Sequence, residues 1–366
     1  MSAAFNSSGL DDVVAAETVL SEVDGAAGRL IVRGFDLDEL AGRRSFEFVL
    51  ALLWQGFASG PLDEEAIQAA LGKARGAAFA IAEELLPSTR DLSAVEALRL
   101  LLSALPDREG MPHHVLAVAA VPVFAAAVAR KRRGETPVAP DASLGQAQDF
   151  LRMMRGASPP PADAKALETY LVAVADHGLN ASTFAARVIA STRADLFSAV
   201  VGALCALKGP LHGGAPGPVL DMLDAIGTSD NIRPWLASAL SAGERLMGFG
   251  HRVYRVRDPR ADILKAVASD LRHGDNRIAF AEEVEAAALE LLRQRRAGRS
   301  LATNVEFYTA LVLEALALPR DSFTNVFAAG RVAGWTAHIL EQEKGGRMIL
   351  PQSRYVGPAP SRQDAA

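Results

Sequence analysis

The longest apolar run in the chain occupies residues 115–129, where Pro122 is the only interruption among Ala, Val, Leu and Phe. At fifteen residues it falls short of the roughly 20 needed to span a bilayer, so it reads as a buried core helix. Such a helix has no polar face to offer to water and must be enclosed by other elements. The composition says which elements. Half of the 366 residues are hydrophobic but only 6% are aromatic, and the apolar mass is mostly Ala, Leu and Val. That balance favours closely packed helices over a β-sandwich. The length suits about two domains, or one large domain carrying a smaller one.

The rest of the chain repeats the helical signal. Phe46, Val49, Leu50, Leu53 and Trp54 recur at three- and four-residue intervals, which puts one helix face on the core. Further candidate helices follow every 15 to 25 residues or so, a usual span for helix plus connection. Residues 18–35 instead alternate short apolar runs with Gly25, Gly28 and Gly34, as turns or a small hairpin would. Pro159, Pro160 and Pro161 cannot donate helical hydrogen bonds, so residues 157–161 read as a loop between two helices. The segment 171–207 is rich in Ala, Ser and Thr; it reads as the longest helical block, central to the fold and at a dimer interface. The last ten residues are expected to fray.

Charge and cysteine content exclude several function classes. A net charge of -5 gives no global basic field for nucleic acid. The short basic stretch Arg293-Gln294-Arg295-Arg296 fits either a solvated helix end or a site for phosphate or coenzyme. The one cysteine, Cys205, cannot form an intramolecular disulfide, suits a reducing cytoplasm, and is expected in the core because its neighbours are apolar. Residues 1–8 carry neither a basic region nor an apolar signal segment, so a cytoplasmic protein is expected, with no membrane partner.

Three histidines and one glutamate stand in chemically suggestive surroundings. His177 lies in Asp176-His177-Gly178-Leu179-Asn180; on a helix it would share a face with Asn180 and Phe184, either as a polar patch or as a satisfied core histidine. His212 lies in Gly209-Pro210-Leu211-His212-Gly213-Gly214. There the glycines permit a turn that aims the ring into a cleft, or one in which the ring is incidental. His251 follows Gly248-Phe249-Gly250 and precedes Arg252, Arg255, Arg257 and Arg260, which together suit an anionic substrate or a coenzyme phosphate, or form a solvated basic loop. Glu306 sits in Asn304-Val305-Glu306-Phe307-Tyr308, where desolvation would raise its pKa and make it a better base; a glutamate near a helix start also complements the helix dipole. No two histidines have the i, i+4 spacing of a helical zinc motif, and neither a Gly-x-Ser-x-Gly elbow nor a Gly-x-Gly-x-x-Gly or Walker motif is present.

In this order the blocks resemble the citrate synthase family over most of the chain. To them are added Glu17-Thr18 through Gly28-Arg29-Leu30 and Arg33-Gly34-Phe35-Asp36 near the start, and Ala329-Gly330-Arg331 through Trp335-Thr336-Ala337-His338 near the end. The resemblance implies an all-α fold with a large domain (residues 1–212 plus 318–366), a small helical domain (213–317), and a cleft between them in a homodimer. It implies an acyltransferase of the tricarboxylic acid cycle that condenses acetyl-CoA, or another acyl-CoA, with oxaloacetate to give citrate and CoA. No permanently bound cofactor and no metal are implied. His212 would stabilise the enol or enolate of the thioester, His251 would protonate the acceptor carbonyl, and Glu306 would take the methyl proton. His177, Arg260 and Arg331 would hold the acceptor's carboxylates, Arg being favoured for its planar fork. Gly248, Phe249, Gly250, Arg255 and Arg257 would lie on the coenzyme side.

Three positions depart from the family pattern. The usual base is Asp, and Glu306 extends the carboxylate by about 1.5 Å. The family's closing Arg-Pro becomes Leu350-Pro351, removing an arginine that normally reaches a substrate carboxylate across the dimer. An unpaired buried carboxylate costs about 2 to 5 kcal/mol, and Leu350 suits an apolar group instead, while Arg347 and Arg354 stand nearby in sequence. Pro216 replaces a common Asn. These changes keep two further readings open: a related enzyme that takes a less acidic 2-oxo acid, and a non-catalytic paralogue that binds CoA or a tricarboxylate.

Overall fold

The computed structural model describes residues 10, 13–60, 62–107, 110–213, 216–250, 253–271, 277–295 and 301–358. The predicted hairpin is present as a three-stranded antiparallel meander, β1 (Ser21–Asp24), β2 (Arg29–Val32) and β3 (Phe35–Asp36). Ser21 faces Val32, and Val32 in turn faces Phe35. One short turn of helix, α1 (Leu37–Leu40), leads into α2 (Phe46–Trp54), α3 (Glu64–Leu85), α4 (Ala94–Ser103) and α5 (His113–Arg132). Then come α6 (Gln146–Arg155), α7 (Pro161–Val174), α8 (Ala181–Ser191) and α9 (Leu196–Leu207). The remainder is α10 (Pro216–Ile226), α11 (Ile232–Ser241), α12 (Pro259–Asp270), α13 (Arg277–Arg295), α14 (Val305–Ala315) and α15 (Phe323–Gly345). The fold is all-α, as expected.

Helix boundaries follow from local chemistry. Ser45, Asp63, Asn180, Asp195, Asp258 and Asn304 each cap a helix by accepting a backbone N–H in the first turn, and Ser93 with Glu96 makes a capping box. Pro161 opens α7 where its missing N–H costs nothing, and Gly156 closes α6 with φ of +81°, so the predicted proline loop lies between them.

The apolar run at 115–129 is the buried interior of α5, covered by α3, α4, α6, α9 and α15. Although α5 has the length and hydropathy of a membrane span, its apolar stretch lies inside the protein. Pro122 denies Val118 its helical partner, and the freed Val118 carbonyl accepts from Gln146 Nε2 at 2.9 Å. The same glutamine accepts from Arg75, which is itself fully buried against Asp149 at 2.8 Å. A helix-breaking residue is thereby tied into a buried polar cluster.

Two expectations are corrected. The segment 171–207 is not one block; it is the end of α7, then α8 and α9. The breaks fall where Gly178 (φ +59°) and Arg193 (φ +66°) take the left-handed conformation and Asn180 and Asp195 start new helices. The longest helix among the described residues is α15 instead. Cys205 is exposed, not in the core. On α9 the stripe Ala199, Val200, Ala203, Leu204 and Leu207 faces inward, and Cys205, one residue past Leu204, is turned about 100° away.

The approach of α15 to the end of α7 places the residues described below. A Cβ on Gly330 would come within 2.6 Å of Val174 Cγ2 and 3.0 Å of the Leu171 carbonyl oxygen, so only glycine permits this spacing. Gly330→Ala is expected to force the helices apart at a cost of about 1–3 kcal/mol, read as a lower urea midpoint. An unchanged midpoint would show that the spacing is not fixed by this contact.

Candidate active site

Interruptions between helices converge on one cavity of about 670 Å³. The loop between α7 and α8 contributes His177, the turn after α9 contributes His212, and the segment between α11 and α12 contributes Arg245 and Gly250. Arg260 enters from the first turn of α12, Glu306 from the first turn of α14, and Arg331 from α15. Residues separated by up to 154 positions in sequence therefore share one wall.

His177 is not on a helix with Asn180 and Phe184. Gly178 breaks the chain there, and Asn180 accepts the N–H groups of Ser182 and Thr183 as the cap of α8. The His177 ring is buried, with Nε2 3.1 Å from the Tyr254 hydroxyl and the two rings edge to face. Burial pushes the Tyr254 phenol well above its usual range, so it stays protonated.

His212 is held by Ser182, whose hydroxyl lies 2.8 Å from His212 Nε2. Trp335 Nε1 also donates to that hydroxyl at 3.1 Å. Burial, together with the charges of Arg331 and Arg260, pushes His212 down to about 4, so near neutral pH it is an uncharged imidazole. The turn that carries it is tight: the His212 N–H bonds the Gly209 carbonyl at 2.9 Å, and that of Gly213 bonds the Leu207 carbonyl at 2.9 Å.

Glu306 is the second residue of α14, after the cap Asn304. Burial raises its pKa to about 7, even though Arg260 and Arg245 pull it down; Asp258 adds to the rise. Arg260 forks onto Asp258, Nε to Oδ1 at 3.0 Å and Nη2 to Oδ2 at 2.8 Å, and Asp258 also accepts the Val305 N–H at 3.2 Å. Arg331 donates through Nε to the Val174 carbonyl at 2.6 Å and lies over the Phe327 ring. Burial and repulsion from Arg260 lower it to about 10. Two buried guanidinium groups that repel each other make a site for an anion, and carboxylates match their fork.

The segment beside Gly250 is stitched to the start of α14. Phe249 and Thr303 form an antiparallel bridge, the Gly250 N–H bonds the Ala302 carbonyl at 2.8 Å, and Asn304 Nδ2 donates to the Gly250 carbonyl at 2.8 Å. Gly248 (φ +83°) lies against Phe307, where a Cβ would come within 2.8 Å of the Phe307 side chain. Among the coenzyme-side candidates only Gly250 lines the cavity. Phe249 packs its ring on Phe307, Arg255 is exposed with its N–H on the Gly25 carbonyl, and Arg257 is committed to Asp262 and Glu285. His251 and Arg252 lie outside the described residues. Leu350 is 76% exposed in the extended segment after α15 and does not line the cavity.

Arg245, Ser182, Tyr254 and Asp258 were not singled out in the sequence, and Asn180 was named only as part of a polar patch with His177. Asn180 and Asp258 carry only the signature of helix caps, and Ser182 that of a first-turn serine. Arg245 has no motif of its own beyond standing just before the Gly248-Phe249-Gly250 run.

Comparison with known proteins agrees with this geometry. Residues 9–352 match the family profile described as "Citrate synthase, C-terminal domain". A citrate synthase of Haloferax volcanii is 40% identical, covering 95% of each chain. The crystal structure of citrate synthase from Thermotoga maritima superposes with a TM-score of 0.84 at 33% identity, covering 96% of each chain. A Thermoplasma acidophilum citrate synthase solved as a ternary complex with carboxymethyl coenzyme A and oxaloacetate gives 0.85 at 27% identity, again covering 96% of each chain. With the family profile matching residues 9–352 and the fold and sequence in agreement along nearly its whole length, the chain belongs to the citrate synthase family of acyl-transferring enzymes.

Proposed function

We propose that the protein condenses acetyl-CoA with oxaloacetate to give citrate and CoA, and that the cavity between α7, α12, α14 and α15 is where it does so. The observation that carries this reading is the placement of a near-neutral carboxylate, Glu306, in one cavity with an uncharged His212 and the buried cations Arg260 and Arg331. A carboxylate with a pKa of about 7 is matched to taking a weakly acidic proton near neutral pH. Glu306 removes a methyl proton from the thioester. The Ser182 hydroxyl lies 2.8 Å from Asn180 Oδ1 as well as from His212 Nε2; in this reading it turns its one proton to His212, which then carries its own proton on Nδ1 and donates it to the thioester oxygen. The new carbon–carbon bond forms at the acceptor's keto carbon, whose oxygen takes a proton from His251. Water then cleaves the thioester and releases CoA.

The acceptor's carboxylates meet Arg260, Arg331 and His177. Half-buried Gly250 and exposed Arg245, both on the cavity wall, take the coenzyme side, with Arg255 exposed outside the cavity. The division into residues 1–212 plus 318–366 and residues 213–317 is supported by packing: α12 and α10 lie on α14 and α11 lies on α13. Closure of one part on the other would exclude water from the enolate. A cytoplasmic homodimer completes the reading. Its support is the exposure of Met348, Leu350, Tyr355 and Val356 along the closing segment, and of Leu211 beside His212, apolar surface that a second copy would cover. Leu350 favours a second reading in which the acceptor is a 2-oxo acid with one carboxylate fewer.

Thiol release from acetyl-CoA with oxaloacetate tests the main reading. Release is expected in the wild type and a loss of at least about a hundredfold in kcat for His212→Ala, since removal of one donor to a developing oxyanion costs 10²–10³. Undiminished turnover in that variant would exclude His212. Glu306→Gln should abolish proton removal, and wild-type activity should fall as the pH drops through about 7, where the carboxylate protonates.

Stability should show the opposite sign. Because folding raises the Glu306 pKa from 4.5 to about 7, the folded state favours the protonated form, and the cost of ionisation grows as the pH rises between those values. Glu306→Gln should therefore be more stable than the wild type above pH 7, by about 3 kcal/mol, and no different below pH 4. Equal urea midpoints at pH 8 would mean the carboxylate is not buried at a cost. For the second reading, Leu350→Arg is expected to lower KM for oxaloacetate relative to that for a monocarboxylic 2-oxo acid, and an unchanged ratio would remove Leu350 from substrate choice.

A further inference from the structure

Behind His177 runs a chain of buried polar groups that touches no part of the cavity. Asp176, the residue before it, is 1% exposed and points away from the cavity toward α15. Its Oδ2 accepts from the Ser21 hydroxyl on β1, and Ser21 Oγ in turn accepts the Gly178 N–H at 3.0 Å. On its other side Oδ1 lies 3.3 Å from His338 Nε2, and neither of these two atoms has another partner among the described residues. Arg187 Nη1 stands 2.9 Å from His338 Nδ1 and also donates to Glu341 Oε2 at 2.5 Å. A guanidinium can only donate, so His338 Nδ1 must accept and the ring proton sits on Nε2, facing Asp176.

Close packing holds the arrangement. A Cβ on Gly334 would come within 2.5 Å of both Asp176 Oδ1 and the Ala175 carbonyl oxygen, and the Gly334 N–H bonds that same carbonyl at 3.0 Å. The residues on both sides of His177 are thus fixed, Asp176 from α15 and Gly178 from β1, while the imidazole between them is left to face Tyr254 and the cavity.

We infer that His338 and Asp176, braced by Ser21, are positioning residues for His177, setting its backbone so that the ring meets the acceptor. This rests on the reading of the cavity as the acceptor site. A hydrogen-bonded support behind a functional histidine fixes its orientation, and displacements on the order of 1 Å in such a group are felt in binding and rate.

The test compares His338→Leu, which fills the space without a donor, with His338→Gln, whose amide can still donate to Asp176, and with Ser21→Ala, a change at a half-buried position. In His338→Leu and Ser21→Ala, KM for the 2-oxo acid is expected to rise about tenfold or more while KM for the acyl-CoA stays within about twofold, and His338→Gln should recover most of the loss. A leucine variant with both constants unchanged or shifted equally, or a glutamine variant as impaired as leucine, would overturn the inference. A second readout needs no turnover. With 15N-labelled histidine and His177 assigned through His177→Gln, the His177 ring signals should move in Ser21→Ala and stay in place in His338→Gln. An unmoved signal in Ser21→Ala overturns the positioning role, whereas a wild type inactive with every acceptor overturns the condensing reading and leaves the spectral result to decide this one.

Discussion

The contact on which the site depends is the bare backbone approach of α15 to the end of α7. Gly330 and Gly334 are one turn apart on the same face of α15, and both lie where a side chain would strike the chain between Leu171 and Asp176. Because the helix can come this close, Arg331 reaches the Val174 carbonyl, Trp335 reaches Ser182 and His338 reaches Asp176. One helix thereby supports a buried cation of the cavity, the residue that holds His212 and the residue next to His177. Strong burial of Arg331 is tolerable because its Nε–H is satisfied by a carbonyl and its plane lies on Phe327.

Opposed charges at different depths set the chemistry of the cavity. Burial, reinforced by the charges of Arg331 and Arg260, holds His212 uncharged, while Arg260 and Arg245 only partly offset the burial of Glu306. Asp258 prevents the balance from tipping further: it neutralises Arg260, caps α12 and takes the Val305 N–H, tying the starts of α12 and α14 together. The result is an uncharged imidazole and a carboxyl with a pKa of about 7 in one cavity with two buried guanidinium groups, the combination that the proposed proton transfer from a weak carbon acid requires.

Much of this was legible in the residues. The apolar run of α5, the spacing in α2, the glycine-punctuated hairpin and the proline loop all follow from local rules, because each is decided by neighbours within one or two turns. His177, His212, Arg260, Glu306 and Arg331 were singled out in the sequence, and the fold brings all five to one cavity. What escaped was decided by partners distant in sequence or by one residue's angle on a helix. Cys205 shares an apolar run with the core but falls on the outer face of α9. The small residues of 171–207 suit helix throughout, and Gly178 and Arg193 end it. Ser182 reads as an ordinary first-turn serine until Trp335, 153 residues away, is folded against it. Arg257, prominent among the loop arginines, is claimed by Glu285, a residue buried with Thr303 and Tyr308 as further partners.

The bridge between Phe249 and Thr303 bears on how a longer base is accommodated. Backbone hydrogen bonds lock residues 248–250 to residues 302–304, so the start of α14 cannot slide back to make room for one more methylene without dragging the glycine segment that leads into His251. The adjustment for Glu306 therefore falls on its own side-chain torsions. Compared with an aspartate, the base brings one more rotatable bond into the cavity, and reaching the reactive pose means freezing it. On the proposed role of Glu306 as the base, part of the barrier would thus be entropic, set by rotamer freedom as well as by the strength of the base.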